Sequence, residues 1–187
     1  MLSPWDKDTL EHGDAEDVAE WVSDGGDPND YDEHGWSALE FVCDGYYEAM
    51  DDKVRLLLEA GADPNEGHGG MTPLAWACRH LVDWDNSEGV CEEQAVPVRQ
   101  AIKLLLEAGA SIGDISPWCC DGESPLSCAV IAQASWLVSA CLRSLSSEEW
   151  RDPELALGRA ISLAKGRTRR RLRKAANDVL GHIPEYE

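Results

Sequence analysis

The residues best suited to chemistry in this chain are its cysteines, histidines and carboxylates, so their spacing is the first thing to weigh. Cys119 and Cys120 are adjacent, Cys128 follows at a distance and His80 lies far upstream. None of these shows the paired two-residue spacing by which one turn offers two ligands to a tetrahedral ion, so no metal is expected. A Cys or Ser nucleophile needs a base and a group that orients it. His12, His34, His68, His80 and His182 fall in turns, at helix ends or in the tail, and none is tied to a nucleophile by spacing. Gly67-His68-Gly69-Gly70 leads into no Lys-Ser/Thr pair and follows no strand, which excludes a phosphate loop and a dinucleotide fingerprint. With 36 Asp and Glu in the chain, no pair of carboxylates stands out for acid–base work. The expectation is a protein that is not an enzyme and carries no cofactor.

What is left is surface, and its charge is uneven. Residues 1–142 hold 6 basic and 29 acidic side chains, a net −23, whereas residues 143–187 hold 10 and 7, a net +3. A field of that sign repels nucleic-acid phosphates and anionic lipid, and it steers cationic proteins into contact. A basic protein is therefore the expected partner, with no direct nucleic-acid contact. Arg169, Arg170, Arg171, Arg173 and Lys174 share their stretch with Leu172, Ala175, Ala176, Val179 and Leu180 at helical spacing, so they read as the solvated face of a last helix. No run approaches the ~20 apolar residues of a membrane span, and the first eight residues lack the basic-then-apolar order of a secretory signal. Seven cysteines, an odd number and mostly within apolar helical patterns, fit a reducing compartment. A cytoplasmic location without membrane contact is expected.

These residues must be positioned by elements, and the elements repeat. Residues 18–29 (VAEWVSDGGDPN), 54–65 (VRLLLEAGADPN) and 101–112 (AIKLLLEAGASI) share one shape, a short amphipathic helix stopped by glycine. Residues 35–43 (GWSALEFVC), 70–78 (GMTPLAWAC) and 122–130 (GESPLSCAV) share another, a glycine turn that opens a helix. Thr72-Pro73 and Ser124-Pro125 place a capping hydroxyl before a proline whose missing N–H costs nothing at the first helical position. Gly25, Gly61 and Gly109 fall where the chain needs a left-handed residue to leave a helix. The Asp-Pro-Asn at 27–29 and 63–65 then forces a turn, because a residue before proline avoids the helical region.

Residues 30–143 resemble the ankyrin repeat family, through Thr72-Pro73-Leu74 and Gly61-Ala62-Asp63 in particular. The resemblance implies an all-α solenoid of about four to five helix-turn-helix units with β-turn fingers, in a single domain over residues 1–187. Residues 3–29 would be a divergent first repeat, 30–65, 66–112 and 113–143 the central ones, and 144–187 a helical cap. Departures are local. Ala38 stands where the family has Pro, and Glu40, Ala75 and Ser127 stand where it has His. Gly35 to Gly70 spans 35 residues, close to the family's ~33, but Gly70 to Gly122 spans 52. The excess falls at about residues 79–100, between a helix ending at Cys78 and one expected to start at Ala101.

Transferred residue by residue, the family's binding positions fall on Glu33, His34, Trp36 and Asp44, on His68, Met71, Arg79 and His80, and on Asp121 and Glu123. The insertion adds Asp83, Trp84, Asp85, Glu88, Glu92 and Glu93, an acidic stretch with one large apolar side chain. Acids select and steer partners, and Trp and Met are enriched at interface cores. The function expected is a non-catalytic protein-binding module. It would be an immunity protein of ankyrin-like type that inhibits a basic toxin, such as a nuclease, stoichiometrically, with its oligomeric state left open and a monomer favoured. An effector or phage-encoded protein aimed at a host or defence protein, and a scaffold or regulatory subunit, are the alternatives, with an enzyme last.

Overall fold

A computed structural model describes residues 1–45, 48–67, 72–81, 92–112, 125–131, 134–144, 157–158, 160–161 and 169–170. The chain forms two compact units, Met1–Ser111 and Ile112–Glu187. The described residues are mostly helical. They contain no strand, and the one isolated antiparallel bridge among them joins Tyr31 to Ser37.

The first unit holds α1 (Pro4–His12), α2 (Ala15–Ser23), α3 (Ala38–Asp44), α4 (Met50–Glu59), α5 (Pro73–His80) and α6 (Glu92–Glu107). The starts of α1, α2, α3 and α5 each have a chemical cause. The Ser3 and Ser37 hydroxyls and the Asp14 carboxylate accept from the N–H groups that open α1, α3 and α2, and Asp6, Glu40 and Asp17 reach back to complete the box. Thr72 caps α5 by accepting from Ala75 N–H at 3.3 Å, with Pro73 at the first helical position. Gly25, Gly61 and Gly109 take φ of 94°, 96° and 91°, the left-handed exit that their positions predicted.

Packing repeats as well. Within each pair α1 lies on α2, α3 on α4 and α5 on α6. Across pairs α1 packs on α3 and α3 on α5, while α2 packs on α4 and α4 on α6, so the first unit is two layers of helices. Leu10, Val18, Leu39, Val42, Met50, Val54, Leu57, Leu74, Ile102 and Leu105 fill the space between them. Two side-chain amides tie successive turns together. Asn29 donates to the Gly61 carbonyl at 2.9 Å and accepts from Asp63 N–H at 2.8 Å. Asn65 does the same one turn on, to Gly109 at 3.2 Å and from Ser111 N–H at 2.7 Å.

The start of α6 differs from the expectation. The helix begins at Glu92, not at Ala101, so the second part of the 79–100 stretch is helical. Pro97 suggests a break, but Ala95, Val98, Ala101, Ile102 and Leu105 form one buried stripe at helical spacing that carries the helix through it.

The second unit contains α7 (Pro125–Ile131) and α8 (Ser135–Ser144), packed on one another around Leu126, Val130, Leu137 and Val138. Residues 157–158, 160–161 and 169–170 are also helical. The Ser124 cap, the finger over 113–123, Cys119, Cys120 and most of the expected closing helices lie outside the described residues. Among the described residues, no helix is long and apolar enough to cross a membrane.

Candidate protein-binding surface

The finger between α2 and α3 is built around one carboxylate. Asp32 is 7% exposed, and its Oδ1 accepts from His34 N–H at 2.8 Å and from Trp36 N–H at 2.9 Å. Its backbone closes the loop, donating to the Trp36 carbonyl at 3.1 Å while its own carbonyl accepts from Gly35 at 3.1 Å. Lys7, on α1, donates to Asp32 Oδ2 at 3.4 Å and to Glu33 Oε1 at 3.0 Å. Burial works to raise the Asp32 pKa, but the two backbone donors and Lys7 outweigh it, and the carboxyl sits below its ordinary 3.8. The hydrogen bond to Glu33, with help from Asp32, holds Lys7 above its ordinary value.

That network leaves Glu33 and His34 exposed at the tip and turns Trp36 inward. The Trp36 ring lies 5.5 Å from Phe41 and 5.0 Å from Trp76, and the Arg79 guanidinium sits 5.1 Å over the Trp76 ring. Finger, α3 and α5 are thereby joined by a run of aromatic contacts that ends in a cation. Phe41 and Trp76 occupy the same place in their helices, four residues after the caps Ser37 and Thr72, which is why both meet the one finger. Trp36 therefore packs on two helices and is half-buried.

Beside this run, His80 and Asp44 face one another at the ends of α5 and α3. Burial pushes His80 below its ordinary 6.5, opposed by Asp44 and by hydrogen bonds to the backbone of Cys43 and Asp44, so the ring is neutral at pH 7. Desolvation raises the Asp44 carboxyl, against the attraction of His80 and Arg79.

Glu33, His34, Trp36, Asp44, Arg79 and His80 are thus placed around one junction, between the finger and the ends of α3 and α5. His68, Met71, Asp83, Trp84, Asp85, Glu88, Asp121 and Glu123 lie outside the described residues. Glu92 and Glu93 belong to the first turn of α6, with their side chains outside the description. Lys7, Phe41 and Trp76 belong to this surface although they were not singled out from the sequence. The signal for the two aromatics was their common offset from a capping residue.

Asp32, Glu33 and His34 present ligand atoms within 4.8 Å of one another, yet the ammonium of Lys7 bonds both carboxylates of that group. A second cation there would have to displace it. Cys43, Cys78, Cys128 and Cys141 are buried thiols outside any disulfide. Burial raises the Cys43 thiol far above its ordinary value and pushes Cys141 up to about 12, which keeps both protonated and unreactive at neutral pH. No protein-family model matches the chain, and no curated protein matches it.

Proposed function

We propose that this chain is a non-catalytic, ankyrin-like protein-binding module that inhibits a basic protein, a toxin such as a nuclease, by covering it with an acidic surface. Two paired helical layers, left-handed glycine exits and the repeated Asn clamp support the ankyrin reading of the first unit. The observation that carries the binding reading is the finger junction. An aromatic run lies behind an exposed Glu33 and His34, with Asp44 beside it, in the part of the chain whose net charge is −23. Aromatic groups supply area at low entropy cost, and the surrounding acids choose the sign of the partner. Arg79 lies back over Trp76, while Glu33 stands exposed at the tip with Lys7 bonded to it.

The test is affinity capture from the native lysate at low salt with elution by a salt gradient, followed by assay of the purified partner. A basic protein whose activity falls to background at one equivalent of the chain is the expected result. Changing Asp83, Asp85, Glu92 and Glu93 to amides should slow association about ten-fold at low salt, since steering is worth roughly 10–10³-fold. A neutral partner retained through high salt, or unchanged association rates, would overturn the reading.

A further inference from the structure

A cavity of about 620 Å³ opens on the first helical pair, and none of the residues placed in the finger junction above lines it. Two indoles stand in its lining. Trp5 is 76% exposed, one of the large apolar side chains that the fold leaves uncovered. Trp21 is held in place, with its Nε1 donating to Asp6 Oδ1 at 2.9 Å and its ring lying against the backbone of Gly26, where any Cβ would collide with it. Thr9 apart, the rest of the polar lining is acidic, and no basic side chain among the described residues contributes to it.

Most of those acids already have work. Asp17 and Asp27 accept from backbone N–H groups, and Asp30 meets the amino group of Met1. Glu20 and Asp24 also line the cavity, and no ion pair among the described residues neutralises them. Acids alone would not single out this place in a chain so rich in them. Two indoles beside uncompensated carboxylates do, because an aromatic face and a carboxylate together suit a planar cation that stacks on one and forks to the other.

We propose that this cavity receives an arginine side chain presented by the basic partner. Arginine fits better than lysine because its guanidinium is planar, weakly hydrated and able to stack while it bonds a carboxylate in pairs. The site rests on the reading of a basic partner and adds a second contact, on the first helical pair, to the finger junction.

The probe is a hexa-arginine peptide, titrated at low salt into the ¹⁵N-labelled full chain while the indole N–H resonances are followed. The Trp5 and Trp21 resonances should shift together. Trp5→Ala and the Glu20→Gln/Asp24→Asn pair should each weaken the peptide by about five-fold or more, and hexa-lysine should bind less tightly. These are surface changes, and circular dichroism of each variant confirms the fold. Binding that leaves both indoles and both variants unaffected would overturn the cavity as the site, as would no binding at all. If Glu33→Gln/Asp44→Asn then weakened the peptide, the proposed function would stand without this site. Indole shifts from the peptide, with no basic protein found by capture, would keep the cavity and overturn the inhibitor reading.

Discussion

Lys53 shows how one residue can carry a measurable pH signature. It is 1% exposed within α4, and its Nζ donates to the carbonyl of Gly13, the C-cap of α1, at 3.2 Å. A cation is well placed at a helix C-terminus, but burial dominates and pulls its pKa down from 10.5, with Cys43, Asp14 and Glu48 opposing. Between the lowered folded value and 10.5 the unfolded lysine still holds a proton that the folded one has lost. Stability from this group therefore rises with pH across that window and is flat above it. The buried thiols act the other way, because their raised values favour the folded state below 9.0 and lose that advantage above it. Comparison with Lys53→Met, which keeps the stem and removes the charge, largely cancels the thiols. Urea unfolding of both proteins from neutral to alkaline pH should show the wild type gaining on the variant up to 10.5, and a constant difference would mean that the ammonium is not desolvated. Asp32 has the opposite sign of charge and a value below 3.8, so its contribution is present above 3.8 and lost as pH falls through its folded value. Asp32→Ala leaves two finger N–H groups without their acceptor and should cost about 1–3 kcal/mol at neutral pH by urea unfolding, less in acid.

At the scale of elements, the junctions between helical pairs rest on small polar devices. Removing the Asn65 amide breaks one donor and one acceptor bond to the next turn, for a loss of about 1–2 kcal/mol. The change should be local. In Asn65→Ala the Ser111 amide should exchange faster with solvent while the Asp63 amide, held by Asn29, does not, and Asn29→Ala should give the reverse. Equal loss of protection at both sites would show that the two clamps act as one unit. Ala49 offers a gain instead. It precedes α4 at φ 52° and ψ 25°, a left-handed conformation without a side-chain cap. Ala49→Gly removes roughly 1–2 kcal/mol of strain against about 0.4–1 kcal/mol of added unfolded-state entropy. A small rise in unfolding midpoint is expected, and a fall would mean that the strain is not present in solution. These devices were unequally legible in the sequence. The glycine exits and the Thr72 cap could be read because each follows from a backbone rule at one position. The Asn29 and Asn65 clamps could not, because their partners lie a whole repeat away and the second junction spans the insertion. The early start of α6 was hidden by Pro97, although the buried stripe from Ala95 onward was there to be counted.

For the whole molecule, charge was readable from the sequence while the places where it is concentrated were not. Counting side chains gives −23 for residues 1–142, but Trp5, Glu20, Trp21 and Asp24 come together only once α1 and α2 pack as a pair. The finger junction was half legible, since family positions supplied Trp36 and Arg79 while Trp76, the ring between them, came from the stacking of α3 on α5. The same charge now predicts two salt slopes of opposite sign. Within the folded chain the acids repel one another, and the more expanded unfolded chain relieves that repulsion. Raising sodium chloride from about 10 to about 150 mM shortens the screening length from roughly 30 to roughly 8 Å and should stabilise the fold. A gain of about 1 kcal/mol would raise the melting temperature by about 2–4 °C for a chain of this size. Association with a basic partner should weaken over the same range, because screening removes the attraction that steers it. If melting temperature and affinity both rose with salt, the acids would be a burden on the fold with no part in binding. If the first rises while the second falls, the stability forgone to self-repulsion is returned at the interface.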